Sequence, residues 1–486
     1  DQLDRQYGLL SVCATALTID NAWVAFGSSI TTAISNGGAP GLLFELLAAC
    51  FYYGFIAASL AELASSIPSA GGVYHYASVT PGRRWGRPLG FFAGYLNFFA
   101  YVCGISSFGY VGGEVIIQMW ALFHPEFVIQ DWHIFLPTAL INIVCCMIVV
   151  FCNSWQPAVQ RLGSFVVIAG GLVTIIILAA SPKQHASSRF VWTDWVNVTG
   201  WSSGTAFLTG NTRLAYAIGT PDSVSHLAEE LPHPRRDLPR AVAAQMIFGT
   251  LASFVFAVAL LYAITDLDAV VNFPGSFPLA EAYIQGTTNK GAAFGLLFIL
   301  LLAIFSGMQG VFMTCGRTYW ALARDNATPF SEFFAKVAPQ LSCPVPATVL
   351  VGVLSIGLAA ISLGSKTAFS DLAGSFVILS TISYLIPIAG HLLTRRRSIP
   401  RGPFWMGKYG FFVNAMAVLL IIFTNVMFCL PFAMPTSEET MNYSSVIFVG
   451  LVVLIGGWWL WHGWGSYPGP KLPHIDEAGR ILEDEK

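Results

Sequence analysis

Residues 215–225 read AYAIGTPDSVS, and they interrupt an apolar run that we predict to form one helix over residues 203–228. Pro221 breaks helices because it lacks a backbone N–H and its ring clashes with the preceding turn. Gly219 stands two residues before this proline, and Asp222 follows it directly. The run is long enough to cross the hydrocarbon core of a bilayer, about 30 Å thick. The stretch therefore predicts two half-helices that meet at an unwound segment within a membrane.

The composition of the whole chain agrees with a membrane protein. Hydrophobic residues make up 55% of the 486 residues and charged residues only 10%, whereas soluble domains carry about 25% charge. The net charge of −2 gives no reason to expect a nucleic-acid partner. The nine cysteines are scattered, mostly in apolar runs and without CxxC spacing, so we interpret them as core residues. We expect neither a metal site nor a cofactor.

Apolar runs of similar length recur along the chain and predict an all-α integral membrane protein with twelve transmembrane spans. The predicted spans cover residues 9–34, 41–66, 89–121, 132–152, 158–180, 203–228, 240–264, 291–323, 346–363, 369–393, 409–433 and 444–463. Because twelve is an even number, both termini are predicted on the same side of the bilayer.

Basic residues indicate which side of the membrane each loop faces, since arginine and lysine concentrate in cytoplasmic loops. With the N-terminus in the cytoplasm, the cytoplasmic loops hold Arg83, Arg84, Arg87, Arg161, Arg235, Arg236, Arg240, Arg324, Lys336, Arg395, Arg396, Arg397 and Arg401. The opposite loops hold only Lys183, Arg189, Lys290 and Lys366. We therefore predict both termini in the cytoplasm.

Span one carries a second interruption, at Asp20-Asn21 and then at Gly27-Ser28-Ser29. A pair of interrupted spans at matching positions of two repeats marks the substrate site of many transporters. Spans one and six are the first helices of two five-span units, and because five is odd the second unit is inverted. We predict a first repeat over residues 1–200, a second over 201–400, and spans eleven and twelve with a cytosolic tail over 401–486.

Several stretches resemble motifs of one transporter superfamily. They are ELASSIPSAGGVYHYAS (62–78), HLAEELPHPRRDLPRAV (226–242), ARDNATPFS (323–331), GPFWMGKYGFF (402–412), ALFHPEFVIQDWHIF (121–135) and TDLDAVV (265–271). Together they resemble the fungal choline, GABA and amino-acid permeases of the amino acid–polyamine–organocation (APC) superfamily, over nearly the whole chain. The last two stretches resemble fungal choline permeases in particular.

The resemblance implies a leucine-transporter-type fold with a 5+5 inverted repeat. It further implies secondary transport by alternating access, proton coupling and a place in the plasma membrane. It does not identify the substrate, because members of this family carry choline, GABA, amino acids and other amines.

The break in span one lies in LTIDNAWVAFG (17–27), where Asp20 is the only formally charged residue between Leu9 and Ser35. Lone burial of a carboxylate costs several kcal/mol, so an ionisable residue in a span indicates function. Next to Asn21, the carboxylate could pair with a substrate ammonium or take a coupling proton. The alternative is a carboxylate that caps a broken half-helix. The choline permeases are expected to carry a hydroxyl residue here, so Asp20 departs from their pattern.

Arg213 precedes the break in span six by about one helical turn, or ~5 Å. Three alternatives stay open: it grips a substrate carboxylate, it pairs with Asp20 or Glu45 as an outer gate, or it extends to the membrane interface. If both Asp20 and Arg213 reach the ligand, the site fits a zwitterion. If only Asp20 does, the site fits a cation.

Aromatic side chains near the breaks could enclose a quaternary ammonium group. The candidates are Trp23 in span one, Tyr101 and Phe108 in span three, and Tyr216 in span six. Alternatively, such residues pack against other helices or face lipid. Further predicted substrate contacts are Ala217 and Ile218 in the second break and Gln309 in span eight.

The predicted coupling residues are Asp20, Glu45 and Asp222. Asp222 has a structural alternative, since a carboxylate in the first turn of the second half of span six would cap that helix. Span five, from Ser164 to Ala180, has no lysine or arginine, so it lacks a basic group that some proton-coupled relatives are expected to use.

Other functional classes have little support in the sequence. No enzyme motif stands in its required structural context, so we expect no enzyme. We predict a secondary transporter, proton-coupled and of symporter type, for small amine-bearing solutes of the amino-acid/GABA or choline class. The alternatives are a permease specific for quaternary ammonium compounds and a transporter-like nutrient sensor.

Overall fold

The computed structural model describes residues 6–28, 30, 35–437 and 441–470, without the side chains of residues 28, 211–213, 367 and 373. Over these residues the chain forms helices and no strand, apart from two isolated bridges. The predicted all-α class is confirmed. By length and composition alone, eleven of the described helices could cross a membrane. The twelfth predicted span is span six, whose break divides it into pieces too short to be counted.

The two interrupted spans are described piece by piece. Span one consists of Leu9–Asp20 and Ala22–Ser28. Span six consists of Ser203–Ala215, a 3-10 turn Tyr216–Ile218 and a 3-10 helix Ser223–Glu230. The break in each span is therefore confirmed.

The ten other spans agree with the predicted bounds to within a few residues, except at the starts of spans three and seven. They are Gly38–Ser66, Arg83–Ala121, Asp131–Phe151, Gln156–Ala180, Pro234–Ala263, Lys290–Arg324, Val345–Ala359, Lys366–Leu393, Tyr409–Phe428 and Ser444–Trp458. A 3-10 turn Ala360–Leu363 extends span nine, and a π-helical turn Trp459–Gly463 extends span twelve. Short helices in the connections are Val73–Val79, Ser188–Trp192, Leu267–Val271, Leu279–Thr287 and Ser331–Phe334.

Span three begins at Arg83, six residues before the predicted start at residue 89. Its first turns read RRWGRP, and hydropathy reveals only the apolar part of a helix whose polar end projects beyond the hydrocarbon core. The predicted start was therefore wrong by more than one turn. The same holds for span seven, which begins at Pro234 rather than at residue 240 and whose first turns are also polar.

The packing of the helices brings the two breaks together. The second half of span one packs against the 3-10 turn of span six. Span seven packs on spans one, two and five, and span three packs on spans four, eight and ten. Lipid chains are as apolar as leucine, so close packing and polar contacts, rather than hydrophobic burial, select these neighbours.

Local chemistry explains where each break falls. Asn21 has φ 37° and ψ 44°, and asparagine adopts this left-handed conformation more readily than most residues. Its N–H closes the first half-helix on Leu17 O at 3.1 Å. In span six, Pro221 has no N–H to donate, and the helix resumes at Ser223, whose N–H bonds Thr220 O at 3.2 Å.

Candidate functional site

The break in span one leaves polar groups without partners. Asn21 is 1% exposed, and within the described part of the chain neither its side-chain oxygen nor its side-chain nitrogen has a hydrogen-bond partner. Leaving a buried polar group unpaired costs about 1–3 kcal/mol, so such groups point to a missing ligand or water. The unwound segment thus carries unused hydrogen-bonding capacity inside the protein.

The break in span six packs against the second half of span one and carries buried main-chain groups. Ala217 and Ile218 are buried in its 3-10 turn. The carbonyl of Gly219 accepts a long hydrogen bond, 3.4 Å, from the hydroxyl of Tyr384 in span ten. The turn therefore presents backbone to the interior, as expected for a discontinuous helix.

Gln245 in span seven joins the two breaks. Its Nε2 lies 3.2 Å from Asp20 Oδ1, 2.9 Å from Thr220 O and 3.2 Å from Thr220 Oγ1. A carboxylate and a carbonyl only accept hydrogen bonds, so these partners fix the orientation of the amide. Sequence analysis did not single out Gln245, although a polar residue in the apolar run AVAAQMIFGTL was a usable signal.

Asp20 ends the first half of span one and is 6% exposed. Gln245 is its only described donor, and Oδ2 has no partner. The carboxylate lies against span seven at Gly249, where any Cβ would overlap Oδ2. None of the described contacts of this carboxylate is a hydrogen bond from a backbone N–H at the start of a half-helix. The capping alternative therefore lacks support.

Asp222 is at the centre of a buried hydrogen-bond network. Its carboxylate accepts from Asn97 Nδ2 at 2.8 Å, from Tyr101 Oη at 2.7 Å and from Tyr384 Oη at 2.5 Å. His226 Nε2 lies 3.4 Å from it. The predicted helix cap is wrong, because the side chain makes no cap bond and its oxygens are occupied by donors from spans three and ten.

Three aromatic rings from different spans converge beside the second break. Phe376 of span ten lies 5.5 Å from the ring of Tyr216 and 6.3 Å from the ring of Tyr101, both edge to face. The hydroxyl of Tyr216 donates to Ser107 Oγ at 3.1 Å. Phe376 and Ser107 were not predicted, because nothing in the sequence distinguishes them from other residues of their spans.

Comparison with known proteins identifies the family. A family model described as amino acid permease matches residues 7–453. The chain belongs to the amino acid permease family. The predicted resemblance to permeases of the APC superfamily is confirmed.

Several known transporters are similar to this permease over most of their length. It is 29% identical to a choline transporter of Saccharomyces cerevisiae, over 99% of this chain and 85% of that protein. It is 27% identical to amino-acid permease 2 of Neurospora crassa, over 98% and 87%. It is 26% identical to amino-acid permease BAT1 of Arabidopsis thaliana, over 96% and 94%. These relatives agree with a transporter rather than an enzyme.

A manganese transporter of Eremococcus coleocola has a similar fold. The two chains align with a TM-score of 0.57 and 13% identity, over 94% of this chain and 96% of that one. At this identity the likeness concerns the fold alone, and it agrees with the predicted twelve-span inverted-repeat architecture.

Trp23 has no described contact with the rings of Tyr101, Tyr216 and Phe376. The indole of Trp23 donates to Val167 O at 3.2 Å and packs 5.3 Å from the ring of Phe256. These contacts are on spans five and seven, so they do not support the predicted place of Trp23 beside the substrate. That role stays a prediction.

Phe108 of span three lies against span eight, which also carries Gln309. A Cβ on Gly307 would lie 2.9 Å from the ring of Phe108, so that ring packs on span eight. Gln309 is 3% exposed, and its Oε1 has no partner. Gln309 therefore adds a second amide with unused hydrogen-bonding capacity, on a span that packs against span one.

Arg213 belongs to the first half of span six, but its side chain lies outside the described residues. Its three predicted roles therefore stay open. The carboxylate of Glu45 is buried in span two beside the same half-helix, since a Cβ on Gly210 would overlap Glu45 Oε1.

Two buried ion pairs and one half-buried ion pair link the helices at the end of the permease that bears the predicted cytoplasmic loops. Arg317 of span eight donates through Nε and Nη2 to both carboxylate oxygens of Glu230, which ends span six. Arg324 Nη1 lies 3.0 Å from Glu229 Oε2. Arg396 Nη2 lies 2.5 Å from Glu62 Oε1 and so joins the segment after span ten to span two. These pairs close the bundle at this end.

Proposed function

We propose that this permease is a proton-coupled secondary transporter that moves small amine-bearing solutes by alternating access. The observation that carries the proposal is the pair of facing helix breaks, where Asp20 Oδ2 and both side-chain polar atoms of Asn21 are buried without partners. Such groups are costly in a closed protein and are satisfied by a polar ligand or a proton. The substrates considered are amino acids, GABA and choline.

The chemistry of the described residues favours an amine at this site. Asp20 supplies a carboxylate, and Asn21 and Gln309 supply amide oxygens without partners. The rings of Tyr216 and Phe376 add the faces that bind quaternary ammonium groups. The choline transporter among the relatives supports a cation, and the amino-acid permeases among them support a zwitterion whose carboxylate Arg213 would bind.

Asp20 is the better proton carrier of the two carboxylates in the breaks. Asp222 already accepts hydrogen bonds from Asn97, Tyr101 and Tyr384, and each of these bonds favours the ionised carboxylate. Asp20 accepts one bond at 3.2 Å, and its second oxygen is unpaired. Either a proton or a substrate ammonium would neutralise the Asp20 carboxylate, so binding of the proton and binding of the substrate would be coupled through this group.

Alternating access would require the ion pairs at the basic end to separate. Arg317–Glu230 and Arg324–Glu229 hold the second half of span six against span eight. In the proposed cycle, release of the substrate follows when this half moves away. The excess of arginine at this end supports cytoplasmic termini. The proposed location in the plasma membrane rests on the family resemblance alone.

Ligand-induced stabilisation of the purified protein tests the substrate class, because a ligand that binds only the native state raises its apparent stability. Choline, GABA and a neutral amino acid are compared at equal concentration. Stabilisation by choline alone supports a cation site without Arg213. Stabilisation by the zwitterions alone supports a site that includes Arg213. If none of them stabilises the protein, the proposed choice among choline, GABA and neutral amino acids is refuted.

Uptake by reconstituted vesicles tests the coupling. In the wild type we expect uptake of the stabilising ligand to rise as the external pH falls, because the proton enters with the substrate. Asp20→Asn keeps an oxygen for Gln245 but cannot take up a proton, so its uptake should lose this dependence. Full pH dependence in Asp20→Asn would show that another group carries the proton.

A further inference from the structure

Tyr53 in span two brings a hydroxyl to the break in span six. The side chain is fully buried, and none of the described residues supplies a hydrogen-bond partner for its Oη. A Cβ on Gly219, in the break, would lie 3.3 Å from this oxygen. Span two also packs on the 3-10 turn that precedes this glycine. The sequence does not distinguish Tyr53 from the neighbouring Tyr52, so only the packing of the helices reveals its place.

Gly219 allows side chains from two spans to approach the main chain of the break. The same Cβ would lie 2.9 Å from Cε1 of Phe376 in span ten. Glycine leaves this space free, which is its usual role where other groups come close to a backbone. The hydroxyl of Tyr53 and the ring of Phe376 therefore lie next to the same residue. This places the hydroxyl beside the aromatic cluster formed by Tyr101, Tyr216 and Phe376.

Asp20 is tied to the same segment of the break. Thr220 follows Gly219, and Nε2 of Gln245 lies 2.9 Å from Thr220 O and 3.2 Å from Asp20 Oδ1. One amide thus connects residue 220 to the Asp20 carboxylate, whose Oδ2 has no partner among the described residues. Residues 219–220 therefore have a phenol hydroxyl beside them and a carboxylate one amide away.

The two groups call for different partners. A buried polar group without a hydrogen bond costs about 1–3 kcal/mol, so an unpaired phenol in a span points to a ligand or a water. A phenol hydroxyl can donate or accept, whereas an ionised carboxylate only accepts. A ligand that satisfies both carries a cationic nitrogen and, separately, an oxygen. Choline has a hydroxyl in addition to its ammonium group, and amino acids and GABA have a carboxylate.

We propose that Tyr53 binds the oxygen group of the substrate and restricts transport to amines that also carry a hydroxyl or a carboxylate. This inference rests on the proposed transport function and adds to it a residue and a narrower substrate class. A substrate carboxylate accepts a hydrogen bond from the phenol, and a substrate hydroxyl either accepts or donates one. A plain alkylammonium ion leaves the phenol unpaired, and a site with such a buried group rejects the analogue that lacks the partner.

The stability of the ligand-free protein gives the first test. Tyr53→Phe removes only the hydroxyl, so without ligand its unfolding midpoint should stay close to that of the wild type. Tyr283→Phe is the matched control, because its hydroxyl is likewise buried without a described partner, on the helix Leu279–Thr287. A loss as large as that of Tyr384→Phe, which gives up a bond to Asp222, would reveal a partner for Tyr53 within the protein and would overturn the proposal.

Binding of paired ligands gives the second test. Choline is compared with ethyltrimethylammonium, and GABA with butylamine, so that each pair differs by its oxygen group. Dissociation constants follow from the stabilisation of the purified protein at increasing ligand concentration. In the wild type we expect the oxygen-bearing member to bind at least about tenfold more tightly, the scale set by one unpaired buried polar group. Tyr53→Phe should lower this preference about tenfold, and Tyr283→Phe should leave it unchanged.

The outcomes separate this inference from the function on which it rests. Equal affinities within each pair for the wild type, or an undiminished preference in Tyr53→Phe, would overturn the role of Tyr53 and leave its hydroxyl to a bound water. Transport of an amine by the wild type would still support the proposed function in that case. A wild-type protein that neither binds nor transports any of the four compounds would instead refute the proposed function, and this inference with it.

Discussion

Gly249→Ala tests the position of Asp20 more sharply than any change to Asp20 itself. A Cβ at residue 249 would overlap Asp20 Oδ2 and would lie 3.5 Å from Ala22 Cβ. Asp20 is 6% exposed, so its carboxylate has little room to move aside. If it turns away, it also gives up the bond at 3.2 Å from Gln245.

The expected loss in free energy of unfolding follows from comparison with a glycine at which an added Cβ would contact no other atom. A Cβ on Gly54 of span two has no atom within 4 Å, so Gly54→Ala reports only the gain in helix propensity. That gain is common to both variants and cancels in their difference. The remainder is the overlap at residue 249, and forcing an extra methyl into a packed interior costs about 1–3 kcal/mol. Gly249→Ala should therefore be less stable than Gly54→Ala by this amount.

The assay is unfolding by denaturing detergent in mixed micelles, followed with a thiol-reactive dye. Four cysteines report unfolding because they are buried in the folded protein: Cys103, Cys145, Cys315 and Cys343. A double-mutant cycle completes the test, since Asp20→Ala removes the atoms that the new Cβ meets. In that background Gly249→Ala should cost nothing more than Gly54→Ala. An equal cost with and without the Asp20 carboxylate, or no cost at all, would refute the described position of Asp20.

Two further predictions concern the buried polar contacts. Tyr384→Phe removes a donor to the carboxylate of Asp222 and should lower the free energy of unfolding by about 1.5–3 kcal/mol. Tyr283→Phe is its control, since the Tyr283 hydroxyl is buried without a partner and its removal should cost little; equal losses in the two variants would contradict the network. Arg317→Met leaves the carboxylate of Glu230 buried without its ion-pair partner and should cost about 3–5 kcal/mol in the same assay. Adding Glu230→Gln should recover part of that loss, and a double variant as unstable as the sum of the single ones would argue against the pair.

Much of the fold could be predicted because the bilayer requires apolar helices of a set length, and both these runs and the residues that break them are visible in the sequence. A run of apolar residues must be a helix there, since every backbone group needs an internal partner. Pro221 and Asn21 then place the two breaks, one by a missing donor and the other by tolerance of a left-handed backbone. The polar first turns of span three were missed because hydropathy detects only the part of a helix that lies in the hydrocarbon core.

The site was predicted less completely than the fold, because the sequence does not show which face of each helix points towards the breaks. Asp20, Asn21 and Tyr216 were singled out because the breaks themselves place them, and their contact with a substrate stays a prediction. Gln245 and Phe376 contribute through the face that spans seven and ten turn inwards, which depends on helix packing and leaves no mark in a single sequence. Hydropathy shows that a polar residue stands in a span, but it does not show whether that residue lies on the face that packs against the break.

Asp222 shows why residue type and position alone assign the wrong role. From the sequence it is a carboxylate in the first turn of a helix, where the helix dipole and the unpaired N–H groups favour a cap. In the fold it turns towards Tyr101 and Tyr384, whose hydroxyls come from two other spans. Two short bonds from neutral hydroxyls outweigh one bond to the N–H of its own helix, because a hydroxyl buried among apolar helices has few other acceptors. Asp222 thus ties span six to spans three and ten at the point where the helix is broken, while Asp20 keeps an oxygen without a partner. This difference is the basis of our proposal that Asp20, rather than Asp222, carries the coupling proton.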